Sequence, residues 1–369
     1  MTETKKTPLY EVHKQLKGNI VDFHGVLLPV FYSTIQEEHH AVRNGAGIFD
    51  VSHMGNIEFE FKDFNSAVQY FNKLLPNDFS KIYPGKMIYS TMLYENGTVV
   101  DDLMVCAITE TRYHVVVNSA NIEKDYNWII KNSPKDIKIS NLSDKYAIIA
   151  VQGPSAHKII SAYFKIDTTK MKFLSVTTTT YNKKEIIISR SGYTGEDGFE
   201  ICLNSSDSIN CFTDLLKDGK STGLIPCGLG SRDTLRLESG LPLYGQELDD
   251  SHSPLQSMVA WSVKLNKSAD FIGKTALIKD KDSYKQKMIG FEVPGRAIPR
   301  TGMTILNDKQ VEIGVVTSGT FAPTIKKNIG VAFINKEYTG SDQLFLSIRN
   351  RQEPIVLVDI PFYKRSYTI

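Results

Sequence analysis

The sequence predicts an α+β fold built on antiparallel sheets and closed by a separate all-β tail. Three observations carry this reading. Segments of period-two hydrophobicity meet through short turns as hairpins, helical segments intervene irregularly, and beyond the charged stretch 279–287 only short strands follow. A doubly wound parallel sheet would instead require strands and helices in regular alternation. A chain of 369 residues exceeds one ordinary core and suits two or three domains.

The elements follow in order. Thr34 with Glu37 as a capping box, and Gly45 as a stop, predict a helix of about three turns. Residues 56–61 alternate apolar and polar side chains and predict a half-buried strand, and residues 65–75 then switch to helical spacing before Pro76. Runs at 99–108 and 113–117 predict a hairpin, followed by a helix over 121–131. The same style recurs as a strand at 146–151, a helix at 155–164, a hairpin of 176–180 with 185–189, and a helix at 207–217. Residues 279–287 suit a linker. After it, strands at 288–293, 311–317, 329–334, 344–348 and 355–360 predict a small barrel or sandwich.

Composition narrows the function. Hydrophobic residues at 41% and charged residues at 23% exclude a disordered chain, and 43 basic against 41 acidic residues leave no broad field for a phosphate backbone, so nucleic acid is not an expected partner. The four cysteines contain no C-x-x-C pair, which argues against a zinc knuckle or redox couple and for a reducing compartment. No window approaches the roughly 18 apolar residues of a membrane span, and no apolar run follows the first lysines, so a cytoplasmic protein is expected. Gly273-Lys274-Thr275 imitates a phosphate loop, but Ser268 stands where its first glycine belongs, so a helix start is expected. His39 and His40 suggest a metal only superficially: on a helix they diverge by about 100°, and no metal is expected. There is no G-x-S-x-G elbow, and Gly228-Leu229-Gly230 lacks the third glycine of a dinucleotide site.

Three segments carry chemistry. Asp101 and Asp102 interrupt an apolar strand, where a carboxylate facing inward is costly unless paired or used. Period two sends them to opposite faces, so one enters a pocket and the other caps the turn or meets water. The glycine-rich stretch 191–200 can pass close to a ligand; Tyr193 offers a flat face with a hydroxyl, and Glu200 a carboxylate for a ring bearing N–H beside NH2. Its bland alternative is a hairpin with wet acids. Residues 226–240 read as a loop opening a helix, with Arg232 at the opening as a rigid fork of donors for an anionic or carbonyl ligand; the bland alternative is internal ion pairing among Arg232, Asp233, Arg236 and Glu238.

Together these segments closely resemble the aminomethyltransferase, or T-protein, family of the glycine cleavage system. The resemblance runs nearly end to end, through Val21-Asp-Phe-His-Gly25, Phe49-Asp-Val-Ser-His-Met-Gly55, the Asp101-Asp102 strand, Ala150-Val-Gln-Gly-Pro154, Gly192-Tyr-Thr-Gly-Glu-Asp-Gly-Phe-Glu200, Gly230-Ser-Arg-Asp-Thr-Leu-Arg-Leu-Glu238 and Thr317-Ser-Gly-Thr-Phe-Ala-Pro323. Val26 departs from the family's usual tryptophan, and Gly97-Thr98 from its Gly-Gly. The resemblance implies a three-domain cloverleaf of two ferredoxin-like α+β domains and a C-terminal β-barrel. Residues 1–278 would form the folate-binding region, as two interleaved domains of about 1–50 with 140–225 and 51–139 with 226–278, and residues 279–369 the barrel.

It also implies tetrahydrofolate as acceptor co-substrate, lipoylated H protein as partner, and transfer of the aminomethyl carbon to folate with release of ammonia. Carried over residue by residue, Asp102 is the catalytic carboxylate, Glu200 and Arg232 bind folate, Tyr89, Asn118 and Tyr193 line the pocket, Met54 packs at its wall, and Tyr367 returns to it from the tail. Asn118 has an alternative duty as a helix cap. Two rivals share the architecture: a folate-dependent demethylase, and a non-catalytic folate-binding protein whose cysteine motif is absent around Leu243-Tyr-Gly-Gln-Glu247.

Overall fold

The computed structural model describes residues 4–349 and 351–367. Strand Val99–Ala107 lies between both its hairpin partners, Met87–Leu93 and Arg112–Val117, and Gly55–Glu60 and Lys138–Asn141 extend this into a five-stranded antiparallel sheet. Helices Phe64–Leu74 and Ile122–Lys131 cover it, burying Phe71, Leu74 and Ile129 against Ile57, Phe59 and Val105.

The second sheet has six strands in the order Ser175–Tyr181, Lys184–Arg190, Gly198–Asn204, Tyr146–Gln152, Ala46–Asp50 and Leu224–Pro226. Helices Ala156–Phe164 and Ser208–Gly219 pack on it. Its last strand runs parallel to Ala46–Asp50, a departure from the expected antiparallel pattern. Three residues are too few for a period-two signal. A further core joins the sheets, where Phe49, Ile148 and Cys202 of the second meet Met87 and Cys106 of the first.

The tail is a closed six-stranded barrel, Gln286–Val293, Lys327–Asn335, Glu312–Ala322, Thr304–Leu306, Leu344–Ile348 and Arg351–Val358. Closure removes exposed edges. The short Thr304–Leu306 strand escaped the sequence reading, and the strand expected to stop at Thr317 continues to Ala322 across a register shift between Val316 and Ser318. The charged linker is shorter than expected, since helix Lys274–Asp280 enters it and Gln286 already opens the barrel. Among the described residues no helix is long and apolar enough to cross a membrane.

Helix Ile35–Asn44 starts where the sequence places it, with Thr34 Oγ1 accepting from the Glu37 N–H at 3.1 Å. Gly45 ends it at φ −152°, not in a left-handed conformation, and strand Ala46–Asp50 begins at the next residue. Thr34→Ala is expected to cost about 1 kcal/mol in urea unfolding, as for other lost N-caps; an unchanged midpoint would show the cap to be idle.

Candidate active site

The hairpin places Asp102 opposite Thr91, on the strand beside the one that carries Tyr89. Tyr89 Oη donates to Asp102 Oδ2 at 3.0 Å, and Asn118 Nδ2 donates to Asp102 Oδ1 at 2.9 Å. Burial, reinforced by the charge of Asp101, pushes the Asp102 carboxyl up to about 7 against the pull of these two bonds. Asp102 is thus poised to change protonation near neutral pH. Burial and the adjacent Asp102 also push the Tyr89 hydroxyl up, so it stays a donor.

The expectation that Asp101 caps the turn or meets water is corrected. Asp101 is fully buried and accepts from the Asn118 N–H at 3.1 Å, Asn118 Nδ2 at 2.9 Å and Asn121 Nδ2 at 2.8 Å. Asn118 likewise makes no side-chain cap; its amide bridges the two aspartates.

The glycine-rich turn approaches from the second sheet. Gly195 has φ +78° and lies so close to Ser239 that a Cβ would sit 2.1 Å from its Oγ. Glu200 pairs in register with Ala150 and Ser189, and its Oε2 accepts from Ser191 Oγ at 2.6 Å. Arg232, on the first turn of helix Leu229–Glu238, stacks its guanidinium 4.6 Å from the centroid of the Tyr193 ring. Its Nη1 is buried and has no partner among the described residues. The helix opening itself is held by Glu38, which accepts from the Gly228 N–H at 2.8 Å and Ser231 Oγ at 3.2 Å. Tyr193 donates to the Pro242 carbonyl and carries the Arg232 guanidinium over its ring.

Residues 9–267 match the family described as GCVT N-terminal domain, and residues 286–364 match the glycine cleavage T-protein C-terminal barrel domain. The chain belongs to this T-protein family. It is 47% identical to an aminomethyltransferase of Listeria innocua, over 99% of this chain and 100% of that one. It is 43% identical to that of Alkaliphilus metalliredigens over 100% of both. The crystal structure of the glycine cleavage system aminomethyltransferase T from Bartonella henselae superposes with a TM-score of 0.91 at 28% identity, covering 99% of each chain. The chain is thus an aminomethyltransferase-family member of the glycine cleavage system.

Within this T-protein fold the other expected residues take separate places. Met54 packs at the core between the two sheets. Tyr367 lies apart from the Asp102 group: its hydroxyl donates to Glu196 Oε2 at 2.7 Å and accepts from the Asp197 N–H at 3.0 Å, clamping the back of the glycine-rich turn. The expected ion pairing inside helix Leu229–Glu238 is met only in part. Arg236 pairs with Asp233 and with Glu247, both at 2.8 Å, whereas Glu238 pairs with Arg43 at 2.9 Å. His39 is buried between Thr234 and Thr324, whereas His40 is exposed.

Several contributors were missed in the sequence. Trp261, 57% exposed, stacks on Tyr89 at 5.4 Å between centroids, and an isolated tryptophan in an irregular segment carries no pattern to flag it. The Nδ1 of His53 is buried without a partner among the described residues, and burial, with the nearby Arg232 charge, lowers the ring to about 4, so it is neutral. Asn121 and Asp125 looked like ordinary helix-start residues.

Proposed function

We propose that the chain transfers the methylene of the aminomethyl group on the lipoyl arm of H protein to tetrahydrofolate, releasing ammonia and forming 5,10-methylenetetrahydrofolate. The observation that carries this reading is the half-buried Asp102 carboxylate, held by Tyr89 and Asn118, together with a Glu200 carboxylate and an Arg232 guanidinium that each keep binding capacity to spare. An orphaned guanidinium N–H and a carboxylate with one oxygen engaged by Ser191 fit a ligand that offers both acceptors and donors, as a pterin does. Tetrahydrofolate, when bound, supplies the nitrogen nucleophiles that take up the one-carbon unit.

The chain's own residues do the rest. Glu200 would hold the pterin N–H and amino group through charge-assisted bonds, and Arg232, kept in place by the Tyr193 ring, would serve as a second folate ligand. Asp102 provides a carboxylate in a largely desolvated site, where it stabilises positive charge on nitrogen and can take a proton at Oδ1 or Oδ2. Tyr89 and Asn118 fix its orientation before the reactants arrive, so no reorganisation is required. Every side chain named here lies within residues 1–278, which this reading treats as the folate-binding region, with the barrel of 279–369 in support. The reading also takes the chain to be cytoplasmic, in keeping with four free thiols.

The experiment is to supply purified protein with tetrahydrofolate and aminomethyl-loaded H protein and follow ammonia and methylenetetrahydrofolate. Folate binding without turnover would turn the assignment toward a demethylase or a folate-binding protein. Glu200→Gln is expected to weaken tetrahydrofolate binding about tenfold to hundredfold, the worth of one charge-assisted bond, with kcat at saturating folate largely kept. Calorimetric titration reads this directly, and equal affinity in both proteins removes Glu200 from the folate site.

A further inference from the structure

Behind Asp102 lies a third carboxyl that the proposed chemistry does not use. Asp125, on the first turn of helix Ile122–Lys131, is fully buried, and neither of its carboxyl oxygens receives an N–H or O–H from any described residue. The polar group within its reach is the carboxyl of Asp101. Two carboxyl groups can share a hydrogen bond only if one of them carries a proton. Asp101 accepts three N–H bonds, from the Asn118 backbone and from the Asn118 and Asn121 amides, which engage both of its oxygens as acceptors. The proton therefore belongs on Asp125.

We propose that Asp125 is a carboxylic acid donating its proton to Asp101, and that this buried pair is the positioning element that fixes Asp102 through Asn118. The link is geometric. The two amide hydrogens of Asn118 point to Asp101 Oδ1 and Asp102 Oδ1, each at 2.9 Å, so the orientation of the amide depends on Asp101 staying put as an acceptor. A second buried anion at Asp125 would repel Asp101 and loosen that amide.

The charged surroundings agree. The charges of Asp101 and, more weakly, Asp102 act on Asp125, and Lys124 is the cation at hand. Lys124 directs its Nζ to Tyr244 Oη at 2.8 Å and lies 4.2 Å over that ring, and it makes no ion pair with Asp125. A first-turn aspartate would ordinarily ionise in the field of the helix N-terminus. Here burial, followed by the Asp101 charge, outweighs that field and drives the carboxyl far above the usual range.

The inference rests on the aminomethyl-transfer reading only for the role of Asp102, so its test includes a measurement that needs no turnover. Infrared spectra of the full chain at pH 8 should contain a protonated-carboxyl band that Asp125→Asn removes. In the same titration the ionisation of Asp102, assigned with Asp102→Asn, should move in Asp125→Ala and return close to its original position in Asp125→Asn, whose amide still donates to Asp101. With H protein and folate, kcat should fall about tenfold or more in Asp125→Ala, the scale of a small misplacement of a reacting group, and be mostly restored in Asp125→Asn. Absence of the band, or equal effects of the two variants in folded protein, overturns the proposal. A chain that shows the band and the Asp102 shift without aminomethyl turnover would leave this pair standing and remove the reaction assigned to it.

Discussion

Asp102→Asn is expected to lower kcat by about 100- to 1,000-fold while leaving the fold intact, the range observed when one preorganised charge or proton acceptor is lost. Asparagine keeps the shape and can still accept from Tyr89, but it carries no negative charge. The parent protein should also show kcat/KM rising with pH through about 7, because the ionised carboxylate is the active form and its buried position beside Asp101 holds the titration there. In the variant this acid limb should vanish.

Stability moves the other way. A carboxyl whose folded pKa is raised contributes stability below its unfolded value, and that contribution is lost as pH rises through the folded value, here about 7. Above pH 7 the Asn variant should therefore melt at or above the parent temperature. A variant of equal activity would sink the assignment of Asp102, and one that melts early would reveal a structural role instead.

The largest effect on stability is expected at Arg43. Its guanidinium reaches Glu196 and Glu238, both at 2.9 Å, and its side chain is 4% exposed. It also lies 4.0 Å over the Tyr363 ring, whose hydroxyl donates to Glu196 at 2.9 Å, while Glu238 accepts from the Thr324 N–H at 2.8 Å. One cation thus ties together helix Ile35–Asn44, the glycine-rich turn, helix Leu229–Glu238, the barrel and the tail. Arg43→Met leaves two buried carboxylates without their partner and is expected to cost about 3–5 kcal/mol in urea unfolding. Adding Glu196→Gln and Glu238→Gln should recover part of the loss, because the stranded charges disappear. No recovery would mean that packing on Tyr363, rather than charge, sets the cost.

The pH dependence of this network has a definite sign. Burial alone would raise Glu238, but the bonds from His39, Thr324 and Arg43 bring it down to about 2. His39 is itself lowered by burial and is neutral at pH 7, so Arg43 is the cation that holds Glu238 ionised. The stabilisation is complete above the ordinary glutamate range and is lost as pH falls toward 2.

Much of the architecture was legible because periodicity is local. The hairpin of Val99–Ala107 with Arg112–Val117, the helices after it and the all-β tail follow from which side chains alternate and where turn residues interrupt them. The strands that escaped include two of three residues, Leu224–Pro226 and Thr304–Leu306, which pair with the edge of a longer neighbour, and the longer Ala46–Asp50, Met87–Leu93 and Gly198–Asn204, which are buried almost throughout and so lack a strict period-two alternation. The family was legible too, since the order of its motifs survives in the chain.

The site divides along the same line. The residue types at Asp102, Glu200 and Arg232 are properties of the sequence, set by the chemistry each group can perform. Which of them touch was decided only in three dimensions. Nothing local to Asn118 foretells that its amide would bridge two aspartates, nothing local to Trp261 that it would cover Tyr89, and nothing in the tail that Tyr367 would spend its hydroxyl on Glu196 and Asp197. The physical reason is that buried polar groups must find partners wherever packing brings them, often across more than a hundred residues of chain, and burial then sets their charge.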